Sequence, residues 1–283
     1  MRGLAMRAGE GALVLPLFLT FMLLFAAPLV LLLGVSLHND PELEQWGLLT
    51  WKKFVQDGFY WQATLDTLRL GATTVVAAVL LGYPLALTYL SLGERGQRIL
   101  LFIIIMPLLL SVVVRTFAWI VILSHEGVVN QTLLALGLTA APLRLLQTEL
   151  GLVISLTQIE LPMLLLPLIA ALSRLDRNLF DASSILGASR WRTLFKVILP
   201  LSLPGLIAGC TLVFASSTTA FISQSVIGGN RLVYLPLLIW QQTSVVYHWP
   251  MAAVISIVLL CTVLACLYVI NLMGRKSMRY LHV

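Results

Sequence analysis

The chain has 283 residues, of which 59% are hydrophobic and 11% charged, with a formal net charge of +6 at pH 7. A soluble domain cannot hide so much apolar surface in one core, so an ordinary globular fold is excluded and lipid is the expected solvent. The positive balance is accounted for by membrane orientation, with no basic patch that needs nucleic acid.

In a bilayer every backbone polar group needs an internal partner, and long uninterrupted apolar runs satisfy that as helices rather than as alternating barrel strands. A spanning helix takes about 20 apolar residues. Six stretches meet that length, at roughly 12–37, 65–92, 99–124, 150–172, 201–224 and 251–273. The expected fold is all-α, one domain over 1–283.

The first stretch follows Arg2 and Arg7 and contains Ala26-Ala27-Pro28, as a signal peptide would. Its apolar run exceeds the 7–15 residues of a cleavable segment, so it reads as an uncleaved anchor. The second carries Arg69 near its outer end, where the side chain can snorkel. The third holds Arg115, and the fourth holds Gln158, Glu160, Pro162 and Pro167. The fifth places Thr218, Thr219, Ser223 and Gln224 in its outer half. Cys210, Cys261 and Cys266 fall inside apolar runs without metal-ligand spacing and read as packing residues.

Twelve basic residues collect on one side of these spans: Arg2, Arg7, Arg95, Arg98, Arg174, Arg177, Arg190, Arg192, Lys196, Arg275, Lys276 and Arg279. The opposite side has Lys52, Lys53, Arg144 and Arg231 with most of the acids. Both termini are therefore expected in the cytoplasm, with loops 38–63, 125–149 and 225–250 outside. Trp46, Trp51, Trp61, Trp240 and Trp249 in those outer loops suit the membrane interface.

The inner connection 173–200 is longer than a turn requires. Leu179, Phe180, Ile185 and Leu186 recur near helical spacing among Asp181, Ser183 and Ser184, which predicts a short amphipathic helix. Gly187 follows the apolar pair, where a helix can end in the left-handed conformation that glycine enters cheaply. Taken alone, the segment fits either a membrane-surface helix or a docking element.

At this loop Asp181-Ala182-Ser183, Gly187 and Val197-Ile198-Leu199-Pro200 match the spacing of the EAA motif: Glu-Ala-Ala, three residues, Gly, nine residues, an aliphatic residue, any residue, Leu and Pro. The chain thus resembles the permease subunits of binding-protein-dependent ABC importers, with Asp181 for the motif's Glu and Ser183 for its second Ala. Met106-Pro107 with 114–119 (Val-Arg-Thr-Phe-Ala-Trp), Leu161-Pro162, Leu166-Pro167, Pro204-Gly205, Gly228-Gly229-Asn230 and Trp249-Pro250 are similar to the spermidine/putrescine-type branch.

The resemblance implies a type I importer permease fold with a cytoplasmic coupling helix at 176–190, docked in an ATPase cleft through Asp181, Ala182, Ser183, Gly187, Ala188, Leu199 and Pro200. It also implies two cytoplasmic ATP-binding subunits, a second and homologous permease, a periplasmic binding protein, and a place in the bacterial inner membrane. Polyamine permeases usually carry an acid in or just outside the fifth helix, whereas 216–224 has none. The implied cargo is a small polar solute, a polyamine or a related opine, amino acid derivative or aminophosphonate.

No GxxxxGK[ST] loop is present to cradle ATP phosphates, so the energy must come from another subunit, and no cofactor is expected. A membrane enzyme would need HExxH, GxSxG or paired carboxylates at the inner face, none of which occurs. An ion-coupled carrier would show broken helices in matching positions, and the hydropathy pattern shows none. Within the spans, Arg115 and Glu160 lie at matching depths, about 13 and 15 Å from their outer helix ends at 1.5 Å per residue. They fit either a bundle-locking ion pair or a substrate path, to which Gln158, Thr218, Thr219 and Gln224 would also contribute.

Overall fold

The structure is a computed structural model that describes residues 8–175, 183 and 187–279. Residues 176–182 and 184–186, which include Asp181 and Ala182 and most of the expected coupling helix, lie outside the described residues.

Among the described residues the regular structure is helical, with one isolated bridge between His38 and Trp46. In chain order the helices are α1 (Ala8–Ser36), α2 (Leu49–Gln56), α3 (Gly58–Ser91), α4 (Glu94–Ile105), α5 (Val112–Leu123), α6 (Val128–Ala135) and α7 (Glu149–Leu172). After the inner connection come α8 (Arg190–Thr193), α9 (Leu199–Thr218), α10 (Phe221–Ile227), α11 (Leu235–Ser244) and α12 (Trp249–Arg279). Six segments are long and apolar enough to cross a membrane: Leu15–Ser36, Gly58–Ser91, Val112–Ala135, Glu149–Leu172, Trp191–Thr218 and Trp249–Leu272.

The chain packs as two compact units. One comprises residues up to 61 together with 238–259. Its loop after α1 is held by local bonds: Asn39 Oδ1 accepts the Leu49 N–H at 2.9 Å, and Asp40 accepts the N–H groups of Glu44 at 3.0 Å and Gln45 at 2.7 Å. Those two amides hold the Asp40 carboxyl below the usual carboxylate range. The His38 ring lies 4.1 Å from that of Trp46, and Phe54 is buried against Tyr60 and Trp61. Along Leu15–Ser36 no residue of the apolar window is buried, as expected for a helix that faces lipid.

The other unit comprises 62–237 and 260 onward, with α7 at its centre: 61% of that helix's apolar window is buried. Thr148 starts it by accepting the Gly151 N–H at 3.2 Å. Its side chains fill three clusters: Leu152 and Leu156 with Leu70 and Ile227, Leu164 with Ala78 and Val213, and Leu165, Leu168 and Leu172 with Ala86, Ile104 and Ile198. The α7–α9 contact is closest where Gly205 and Gly209 present bare backbone. A Cβ at Gly205 would stand 2.5 Å from the Pro167 carbonyl oxygen, and one at Gly209 would stand 2.8 Å from that of Leu164. This is the small-xxx-small device of membrane helices, where backbone proximity replaces the missing hydrophobic drive.

Two spans differ from the sequence expectation. The third is not continuous over 99–124: α4 ends at Ile105, Met106–Leu109 tightens to a 3-10 turn, and Leu110 and Ser111 are extended at ψ 141° and 137° before α5 begins. Pro107, which has no N–H to continue the ladder, lies in the tightened turn, although Pro84 and Pro162 stay inside continuous helices, so proline alone does not set the break. The fifth starts earlier and stops earlier than 201–224. It runs from α8 through a π-helical stretch, Leu194–Ile198, into α9, and ends at Thr218. Thr219 and Ala220 leave the helical region, and Gln224 belongs to the separate α10. The expectation of uninterrupted spans is thereby corrected. Leu, Val and Ser have the same hydropathy in helical and extended backbone, so hydropathy cannot register such breaks.

Candidate functional site

Both breaks lie beside α7. From the first, α5 starts with Ser111 as a cap whose side chain accepts no backbone N–H, which leaves the opening amides of a mid-span helix without an intrahelical partner. Arg115, one turn in, donates from Nη1 to the Ile159 carbonyl of α7 at 3.1 Å, while its buried Nε has no partner. One turn further, Trp119 Nε1 donates to Gln158 Oε1 at 3.0 Å on the exposed side of α7. The i, i+4 spacing of Arg115 and Trp119 puts both on the helix face that meets α7.

Glu160 is only 5% exposed, with the Ser216 hydroxyl of α9 beside its carboxyl. The Arg115 and Glu160 charges act on each other through space but form no direct ion pair. Among the described residues the ion pairs are Arg69–Glu149 at 3.2 Å and Glu94–Arg98 at 3.5 Å. Arg69, expected to snorkel to the interface, has a carboxylate partner in Glu149 of the first turn of α7. Near it Tyr234 is buried, and burial with the neighbouring Glu149 and Asp66 carboxylates pushes its phenol up.

At the second break the polar side chains serve the backbone. Gln224 is fully buried and donates from Nε2 to the Ser217 and Thr218 carbonyls at 3.0 and 3.3 Å, satisfying acceptors that the end of α9 frees. Ser223 and Thr116 pair their hydroxyls at 3.1 Å, which ties α10 to α5. Thr218 is buried, returns its hydroxyl to Phe214 O, and fits its methyl where a Cβ on Gly71 would stand. Thr219 is exposed, with its hydroxyl on Ala215 O at 2.8 Å.

Of the residues singled out in the sequence, Arg115 meets α7 at Ile159, between Gln158 on its exposed side and the buried Glu160; Thr219 lies at the edge of the break, and Thr218 and Gln224 are enclosed. Trp119 and Ser216 belong to the cluster and were not singled out. Helical spacing from Arg115 marks Trp119, whereas Ser216 meets Glu160 only through the α7–α9 packing.

The second candidate element is the turn after the inner connection. Ser183 is helical, Gly187 has φ +73°, and the Ala188 N–H donates to the Ser183 carbonyl at 3.0 Å. A six-to-one bond across a left-handed glycine is the Schellman arrangement that closes a helix. Ser183 Oγ also lies 3.0 Å from Thr193 Oγ1 of α8, so the turn is fastened to the helix that runs into α9. Leu199 and Pro200, both half-buried, stand where the π-helical stretch gives way to α9; the Leu199 N–H bonds back to Leu194.

A family model described as binding-protein-dependent transport system inner membrane component matches residues 78–273. The spermidine/putrescine transport system permease protein PotB of Haemophilus influenzae is 31% identical over 70% of this chain and 69% of its own. The Escherichia coli K12 protein of that name is 32% identical over 72% and 74%. The putative 2-aminoethylphosphonate transport system permease protein PhnU of Salmonella typhimurium LT2 is 27% identical over 87% and 85%. Among solved structures, a bacterial ABC transporter involved in alginate import has a chain of the same fold, with a TM-score of 0.76 at 18% identity over 94% of this chain and 95% of that one. Six apolar helices, the glycine-closed turn and a match over most of the length agree: the chain belongs to the binding-protein-dependent transport system inner membrane components, the multi-pass permease subunits of ABC importers.

Proposed function

We propose that this permease forms half of an alternating-access path for a small polar solute carrying an amino group, such as a polyamine, opine, amino acid derivative or aminophosphonate. Two cytoplasmic ATPase subunits, a homologous second permease and a periplasmic binding protein complete the complex, and both termini face the cytoplasm. The chain itself carries no catalysis; ATP closure reaches it through 176–190, with Asp181, Ala182, Ser183, Gly187, Ala188, Leu199 and Pro200 at the contact. Relatives named for spermidine/putrescine and for 2-aminoethylphosphonate support the cargo class.

The observation that carries the reading is the polar cluster of Arg115, Trp119, Gln158 and Glu160 beside two interrupted spans. Interrupted backbone and ionisable side chains at membrane depth are tolerated where they line a water-filled route. Arg115, Gln158, Glu160 and Thr219 are the path positions, while Thr218 and Gln224 hold the second break in shape. Uptake in proteoliposomes tests this. Glu160→Gln keeps the size and a polar oxygen beside Ser216, so the complex should assemble and bind the receptor normally while uptake of a cationic solute falls at least ten-fold. Normal uptake by an assembled Gln variant would remove Glu160 from the path.

A further inference from the structure

Arg115 holds a charge that its surroundings do not cancel. A guanidinium stays protonated in a protein and carries its N–H donors in a fixed fork. Here Nη1 is engaged by the Ile159 carbonyl at 3.1 Å, and the buried Nε has no acceptor. No carboxylate pairs with the group among the described residues, whose ion pairs are Arg69–Glu149 and Glu94–Arg98. A carbonyl accepts a hydrogen bond but neutralises nothing, so a full positive charge stands inside a segment apolar enough to cross the membrane. Such a charge is tolerated where it serves a transported group.

The neighbouring amide is oriented in the same sense. An indole N–H can only donate, so the 3.0 Å contact from Trp119 Nε1 fixes the Gln158 oxygen toward the tryptophan. The end left over is the NH2 group, on an exposed side chain one residue before the carbonyl that Arg115 holds. Arg115 and Gln158 thus both present donors on this stretch of α7. The acid of the same stretch, Glu160, is buried and forms no direct pair with the guanidinium.

We infer that Arg115 binds an acidic group of the cargo, so that the transported solute is a zwitterion with a carboxylate or phosphonate as well as an amino group. The inference rests on the function proposed above, in which Glu160 serves the amino end, and it narrows the cargo class. A polyamine brings several ammonium groups and no acid. It would meet one carboxylate, no further acid in 216–224, and repulsion from Arg115. A zwitterion matches one cation and one anion. The guanidinium fork suits the paired oxygens of a carboxylate or phosphonate, and a hydrogen bond between charged groups contributes about ten-fold in affinity or more.

The test follows uptake of labelled 4-aminobutyrate, 2-aminoethylphosphonate and putrescine by the complete complex with its binding protein in proteoliposomes. The first and last are four-carbon chains that differ only in the group at one end. At least one zwitterion should enter about ten-fold faster than putrescine. R115Q should collapse that ratio about ten-fold by slowing the zwitterion, with putrescine uptake unchanged or raised. A ratio is indifferent to a general loss of assembled complex, which separates cargo binding from a packing role. R115K, which keeps the charge without the fork, should lower the ratio about three-fold, and it gives the reading alone should R115Q not assemble. Wild-type uptake of putrescine at least as fast as of either zwitterion overturns the inference and leaves the amino-group reading standing. An equal fall of both classes in the Arg115 variants also overturns it, since a pin holding α5 to α7 would act that way. Uptake of none of these solutes removes the amino-group reading and the inference with it.

Discussion

Replacing Gly187 by valine isolates backbone conformation from packing. A Cβ built on Gly187 meets nothing within 4 Å, so the added side chain has room, and the penalty comes entirely from φ +73°. An L-residue held in the left-handed region costs about 1–2 kcal/mol, with β-branched residues at the upper end. If the chain escapes that strain by rotating, the Ala188-to-Ser183 hydrogen bond is lost instead, at a similar cost of about 1 kcal/mol. Either way the closed turn becomes roughly five- to thirty-fold less populated relative to alternatives. Asparagine tolerates the left-handed region and should behave nearly as glycine, with alanine between the two. The assay is ATP hydrolysis and solute uptake measured together in proteoliposomes of the complete complex. Uptake per ATP should fall in the order Gly, Asn, Ala, Val while membrane insertion stays constant. Full coupling in the Val variant, or equal values for Asn and Val, would refute the idea that this turn transmits the stroke.

Gly209→Ala should loosen α7 against α9, because its Cβ would stand 2.8 Å from the Leu164 carbonyl oxygen; overpacking of this kind costs about 1–3 kcal/mol and should lower the detergent melting temperature. Gly34→Ala, whose Cβ meets nothing within 4 Å, serves as the neutral control. Since Arg115 bonds the Ile159 carbonyl and not Glu160, a double-mutant cycle of Arg115→Gln and Glu160→Gln should give a coupling below about 1 kcal/mol; a coupling of several kcal/mol would reinstate a direct clamp. Orientation is checked in a cysteine-free background, where cysteine placed at Trp46 or Trp240 should label from outside intact cells and cysteine at Arg190 should not.

Much of the candidate machinery was legible because its physics is local. Glycine after an apolar pair predicts a left-handed helix end from neighbours alone, and Gly187 has that conformation. The basic residues and the six apolar runs follow from the cost of charge and bare backbone in hydrocarbon, which any 20-residue window reports. The breaks at Leu110–Ser111 and Thr219–Ala220 were not legible, because their residues are as apolar, or as helix-compatible, as those around them.

What the sequence by itself determined is therefore the membrane class, the number of long apolar segments, the family and the position of one glycine turn. The class, the segments and the turn follow from transfer free energy or backbone sterics within a short stretch, and the family from the resemblance of 181–200 to the EAA motif. Only the tertiary structure decided the surroundings of the interior polar groups: that Arg115 answers a carbonyl of α7, that Glu160 lies beside Ser216, and that Gln224 repairs the end of α9. The reason is that a buried donor or acceptor must be satisfied by whichever group the packing of neighbouring helices brings within about 3 Å, and chain order does not encode that distance.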